Sequence, residues 1–174
     1  MLEFFKKIIV FLDANNIPYM LSGSVAMSVY VLPRATRDFD FIVNLSINDA
    51  SKVIDNFAEG FYCDADAVKE AIKKRSMFNI IDFNSGFKAD FVILKEEKYR
   101  QVEFSRRTTA QFFDSKIFIV TAEDLLLSKL IWIQELQSNL QMDDIKTLAK
   151  KQDLDWNYID NWIDVLQLKT FDLI

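Results

Sequence analysis

Apolar positions Phe4, Ile8, Phe11 and Leu12 fall at helical spacing along residues 2 to 14, and Asn15-Asn16-Ile17-Pro18 interrupts the pattern, so the chain is expected to open with a helix and a turn. Residues 19 to 23 read as a short buried strand ending at Gly23. From Ser24 the spacing becomes helical again at Val25, Val29 and Leu32, and Pro33 closes the segment. Asp38 to Leu45 is a strand whose period of two sets Asp38 and Asp40 on one face. A helix over residues 47–60 ends at Gly60, and residues 69–76 form either a short helix or a charged loop. Strands over 77–83 and 87–94 bracket Asn84-Ser85-Gly86, the composition of a hairpin loop. A last short strand covers 116–120. Thr121 and Asp124 then form a capping box for a long amphipathic helix running to about Gln137, and two more helical stretches cover 142–151 and 155–168.

This order predicts an α/β core over residues 1–120 and a C-terminal helical segment, 121–174, packed on it, because no Pro/Gly/Ser linker separates the two. Length and a 51% hydrophobic content suit one globular unit with a sizeable core. No apolar run approaches the ~18 residues of a membrane span. The start of the chain also lacks a small-residue cleavage site, so a cytoplasmic protein without membrane partners is expected.

Absence of histidine narrows the chemistry most. It removes Ser-His-Asp and Cys-His catalysis together with His-ligated zinc. The single Cys63 excludes an intrachain disulfide. Carboxylates, Lys/Arg, hydroxyls and backbone amides remain, an inventory suited to Mg²⁺-assisted phosphoryl chemistry. A net charge of −5 disfavours a long nucleic-acid footprint, although Lys69, Lys73, Lys74 and Arg75, Arg106 and Arg107, and Lys150 and Lys151 form local basic clusters.

Two carboxylates on one strand face repel each other, so a cation is expected beside them. Asp90 lies in a second apolar strand able to run next to the first, and Gly23-Ser24 opens a helix whose first amides favour a phosphate. Three carboxylates beside a phosphate cradle make a Mg²⁺-nucleotide site.

The stretch LSGSVAMSVYVLPRATRDFDFIV, residues 21 to 43, resembles the signature of the nucleotidyltransferase superfamily that includes DNA polymerase beta. RATRDFD and the later TAEDLLLSKLIW are similar to small bacterial and archaeal nucleotidyltransferase-like proteins grouped with abortive-infection and toxin–antitoxin transferases. The resemblance implies an α+β fold: a mixed sheet with helices packed on one side, plus the helical tail. It implies two-metal, Mg²⁺-dependent transfer of an NMP from an NTP to a hydroxyl on a protein, a tRNA or a small molecule. Gly23 and Ser24 would hold the β- and γ-phosphates, Asp38 and Asp40 would ligate the metals, and Asp90 would hold the metal nearest the attacking hydroxyl. Lys129 would reach the triphosphate; its alternative is a surface lysine snorkelling between apolar neighbours. Thr36, with Arg34 or Arg37, would shape the loop before the metal strand or touch phosphate, with turn chemistry or plain surface charge as the alternative. A nucleotide- or protein-binding module that keeps the fold without turnover, one half of a toxin–antitoxin pair, is the competing reading. An unrelated α/β domain whose acidic strand faces solvent is a third.

Overall fold

The computed structural model describes residues 1–31 and 35–174. Helix α1, Leu2–Ala14, leads into strand β1, Tyr19–Ser22, and helix α2, Gly23–Tyr30. Strand β2, Asp38–Val43, is followed by a 3-10 turn, Ile47–Asp49, and helix α3, Ala50–Asn56. Then come β3, Phe61–Tyr62, α4, Ala65–Lys74, β4, Met77–Asp82, β5, Lys88–Ile93, and α5, Lys98–Ser105. The chain finishes with β6, Thr108–Phe112, β7, Ser115–Ile119, and helices α6, Ala122–Glu135, α7, Asn139–Ala149, and α8, Trp156–Leu166.

The strands form one mixed sheet in the order β3-β4-β5-β2-β1-β7-β6, so the α+β class is as expected. Strand β2 sits centrally, antiparallel to β1 and parallel to β5. The expected hairpin is the antiparallel β4–β5 pair. Its turn is held by the Asp82 carboxylate, which accepts from the Asn84 and Ser85 amides at 3.2 Å, and Gly86 takes a left-handed φ of +67°.

Alternation along β2 and β5 decides the two faces of the sheet. Phe39, Phe41 and Val43 share a buried face with Ala89, Phe91 and Ile93. Helix α1 covers that face: Phe5 lies 5.2 Å from Phe39 and 6.0 Å from Phe41, ring to ring. Each such side chain contributes on the order of 1.5–3 kcal/mol by burial, which makes this face the chief source of stability. The opposite face carries Asp38, Asp40, Ile42, Lys88, Asp90 and Val92, and a cleft lies over it.

Three elements were illegible from periodicity: the two-residue strand β3, the largely exposed edge strand β6 and helix α5. The expected 47–60 helix divides into the 3-10 turn and α3. Residues 69–76 fall in α4 and its end, and Asp64 caps that helix by accepting from the Ala67 amide at 2.7 Å. Pro33 lies outside the described residues; α2 has ended by Tyr30. Helix α6 buries Leu125, Leu126, Leu130 and Ile133, which joins the C-terminal helices to the same apolar core as the sheet. No helix among the described residues is long and apolar enough to cross a membrane.

Candidate active site

Strand register builds the site. Ser22 of β1 pairs with Asp40 of β2, Asp40 with Asp90 of β5, and Asp90 with Asn79 of β4. Four polar side chains therefore form one rung across four strands, on the face away from α1. One step along, Asp38 lies opposite Lys88. The Lys88 ammonium stands 2.9 Å from Asp90 Oδ2 and 3.8 Å from Asp38 Oδ1.

Asp40 is held in a setting hostile to its own charge. Burial raises its pKa, the Asp90 and Asp38 carboxylates raise it further, and Lys129 and Lys88 only partly offset them. Asp90 is 9% exposed, and its Oδ1 is buried with no hydrogen-bond partner. Such an orphan acceptor in a low-dielectric site is costly, on the order of 1–3 kcal/mol, and marks a position built for something else.

Among the described residues no three acidic or sulfur side chains converge into a ready metal cage. The donor chemistry nonetheless fits a hard divalent cation. All the donors are oxygens, Asp90 Oδ1 is open, and the ammonium groups near Asp40 only partly offset what disfavours its ionised form.

The junction of β1 and α2 sits against this rung. Gly23 is the first residue of α2 with φ +63°, and a β-carbon there would lie 1.8 Å from Asp40 Oδ2. Only glycine lets the backbone pass the carboxylate that closely, and the left-handed φ is a second demand for it. Ser22 makes no side-chain cap to α2 and the first turn holds no acid, so the helix presents its positive end beside Asp40 without a built-in counter-charge. Thr36 Oγ1 accepts from the Asp38 amide at 3.2 Å, which is turn chemistry ahead of the acidic strand. Arg34 lies outside the described residues.

Lys129 is a buried residue of α6, not a snorkelling surface lysine. Its ammonium donates to Asp144 Oδ2 and Gln141 Oε1 on α7, both at 2.8 Å. It also lies close enough to Asp40 to lower that carboxyl's pKa. Asp144 is itself buried, 4% exposed. The cleft, about 300 Å³, runs from Gly23, Ser24 and Asp40 to Ile42 and Val92, with Arg100 and Glu103 of α5 and Ser128, Lys129 and Trp132 of α6 as its far wall. Glu103 is fully buried, and it accepts from Arg100 and Ser128. Burial raises its pKa against the pull of Arg100.

Two of the three tryptophans differ in setting. Trp162 is buried against Tyr99, ring centroids 5.0 Å apart. Trp132 borders the cleft with 47% of its surface exposed.

No family model matches the chain, and no curated protein matches it by sequence. Solved structures match its fold. ANT(2″)-Ia in complex with adenylyl-2″-tobramycin superposes with a TM-score of 0.63 over 95% of each chain at 10% identity. The lincomycin-bound lincosamide antibiotic adenylyltransferase LnuA gives 0.58 over 84% of this chain and 94% of its own, at 15% identity. The chain has the nucleotidyltransferase fold. An antigenic nucleotidyltransferase-like protein of Paracoccidioides brasiliensis adds a TM-score of 0.52 at 16% identity, over 91% of this chain and 87% of that one.

On the nucleotidyltransferase fold the expected residues Gly23, Asp38, Asp40, Asp90 and Lys129 gather at one place, with Ser24 lining the same cleft. Thr36 stays at the start of β2. Ser22, Lys88, Asn79, Gln141 and Asp144 went unread, since each owes its place to non-local pairing. For Lys88 one signal existed: it precedes Asp90 by two residues, hence shares its strand face. Arg106 and Arg107, candidates for a nucleic-acid patch, are engaged internally. Arg106 donates to Asp124 at 3.0 Å and lies over the Tyr158 ring, and Arg107 donates to the Phe104 carbonyl at 2.7 Å.

Proposed function

We propose that this chain transfers an NMP from a Mg-NTP to the hydroxyl of a small molecule, releasing pyrophosphate. The observation that carries this reading is the rung Ser22, Asp40, Asp90 laid directly beside the N-terminus of α2, with Gly23 so close to Asp40 that no side chain fits between phosphate cradle and carboxylate. The similar structures, an adenylyltransferase and a complex with an adenylylated aminoglycoside, support adenylyl transfer and ATP as donor.

Asp38, Asp40 and Asp90 are the residues that would hold a divalent cation, which would supply Lewis-acid activation of the acceptor hydroxyl and charge neutralisation of the triphosphate. The amides at the start of α2 and the Lys129 ammonium bind and orient the β- and γ-phosphates. Asp90 would take the acceptor's proton. The acceptor oxygen then forms a bond to the α-phosphorus as the bond to the pyrophosphate oxygen breaks in line. Arg100, braced by Glu103 and Ser128, offers the acceptor hydrogen-bond donors on the far wall. A small acceptor suits a cleft of about 300 Å³ and an acidic chain whose Arg106 and Arg107 are consumed internally.

Incubation of the chain, and of Asp40→Asn/Asp90→Asn, with each α-labelled NTP, Mg²⁺, a panel of polyhydroxylated small molecules, RNA and a protein lysate tests this. Label on a small molecule with ATP and the parent chain only is the expected result. Label on RNA or protein keeps the chemistry and replaces the acceptor, and nucleotide binding without any transfer replaces the enzyme with a binding module.

A further inference from the structure

The carboxylate triad already holds one cation of its own. Lys88 is the first residue of β5, its amide is fixed to the Arg37 carbonyl at 3.0 Å, and parallel register sets it opposite Asp38 and two residues before Asp90. Its ammonium contacts Asp90 at 2.9 Å and reaches Asp38 at 3.8 Å. The other oxygen, Asp90 Oδ1, is buried and unpartnered, and Asp90 pairs in register with Asp40. The two sides of Asp90 thus differ: one oxygen has a cation from the chain, the other has none.

We propose that Lys88 is a tethered cation that permanently fills the position between Asp38 and Asp90, so that this site takes one divalent ion, held by Asp40 and Asp90, where three free carboxylates would take two. This rests on the reading of the triad as the cation site of a nucleotidyl transfer centre. An ordinary half-exposed ion pair makes a different prediction, because removing it alters stability slightly and leaves the number of bound metals unchanged. Lys88 contacts two of the three proposed ligands, and its one unit of charge occupies space and neutralises charge that a second ion requires. The ammonium is also a poorer Lewis acid than a metal ion, since it forms hydrogen bonds and no coordinate bonds. With Lys88 in that position, activation of the acceptor hydroxyl would rest on one ion and on Asp90.

Metal counting decides the matter without reference to turnover. Mn²⁺ is titrated into the parent chain, Lys88→Met and Lys88→Arg, each with α,β-methylene-ATP bound stoichiometrically, and free Mn²⁺ is read by its electron paramagnetic resonance. The expected result is one ion per parent chain, two per Lys88→Met chain with at least about tenfold tighter first binding, and one again for Lys88→Arg, which keeps the charge. If Lys88→Met fails to fold, Lys88→Gln is read the same way. Two ions on the parent, or one on both Lys88→Met and Lys88→Gln, overturns the inference and leaves the proposed function standing. No Mn²⁺ on any chain overturns the metal reading of the triad, and the inference with it.

Discussion

Asp124 and Asp90 are both buried acids, and their surroundings are opposites. Asp124, 0% exposed, accepts from Thr121 Oγ1 at 2.7 Å, Arg106 Nε at 3.0 Å and Tyr158 Oη at 2.6 Å, with Tyr99 Oη close by at 3.4 Å. Those donors come from α5 and its C-terminal end, from the N-cap of α6 and from α8, so one carboxylate of α6 ties three helices together. Asp90 has a single ammonium on one oxygen, nothing on the other, and Asp40 as its neighbour in register. A carboxylate whose lone pairs are all engaged is a structural joint. One left half-engaged among like charges reduces the stability of the empty protein, as the binding role proposed for it requires.

The largest effect is expected at the satisfied acid. Asp124→Ala strands Arg106 and two phenols, and breaking a buried pair from one side costs about 3–5 kcal/mol. For a chain of this size that is roughly a 6–20 °C fall in melting temperature, measurable by calorimetry. A fall of a degree or two would remove the contrast between the clusters. Asp144→Ala breaks the Lys129 pair, which is equally buried, and about 3 kcal/mol is expected in urea unfolding. That variant leaves the Lys129 ammonium with Gln141 as its α7 partner. A smaller cost there would mean that Gln141 and Asp40 suffice to hold it.

Gly23→Ala combines a left-handed φ with a collision at Asp40, and about 1–2 kcal/mol of destabilisation is expected. Nucleotide affinity should fall with it, because relief of the collision moves either α2 or Asp40. Unchanged affinity by calorimetric titration would show that the cradle and the carboxylate act separately.

The pH dependence is the subtlest contrast. Asp40 has a raised pKa, so the folded chain binds a proton that the unfolded chain has already lost. Its contribution to stability is therefore full below the ordinary Asp value of 3.8 and is lost as pH rises through the raised one. Asp40→Asn removes that dependence. The stability difference between variant and parent should grow with pH across this window and level off above it, as followed by denaturant midpoints at several pH values.

What the sequence disclosed follows the range of the interactions. Asp38 and Asp40 on one face, the β4–β5 hairpin and the Thr121 cap are local, and period or turn chemistry reveals them. The capping box was only half right: Asp124 does receive the Thr121 hydroxyl, but its carboxylate serves Arg106 and Tyr158, which no local pattern brings near. Asp90 was found through its apolar strand. Lys88 was not, because its meaning depends on a parallel β2–β5 register set by the whole sheet. Strand β6 escaped because an exposed edge strand has no apolar alternation to show.

The central claim is that Asp38, Asp40 and Asp90 are assembled for a cation and a nucleotide at a cost to the empty fold, and thermal unfolding of the parent and Asp40→Asn, each with and without Mg-ATP, tests it most directly. The account predicts a parent stabilised by roughly 5–10 °C at about 100 times the dissociation constant. It also predicts an Asp40→Asn chain that starts above the parent when empty and gains nothing from Mg-ATP. A variant that starts lower, or that keeps the Mg-ATP gain, would contradict it.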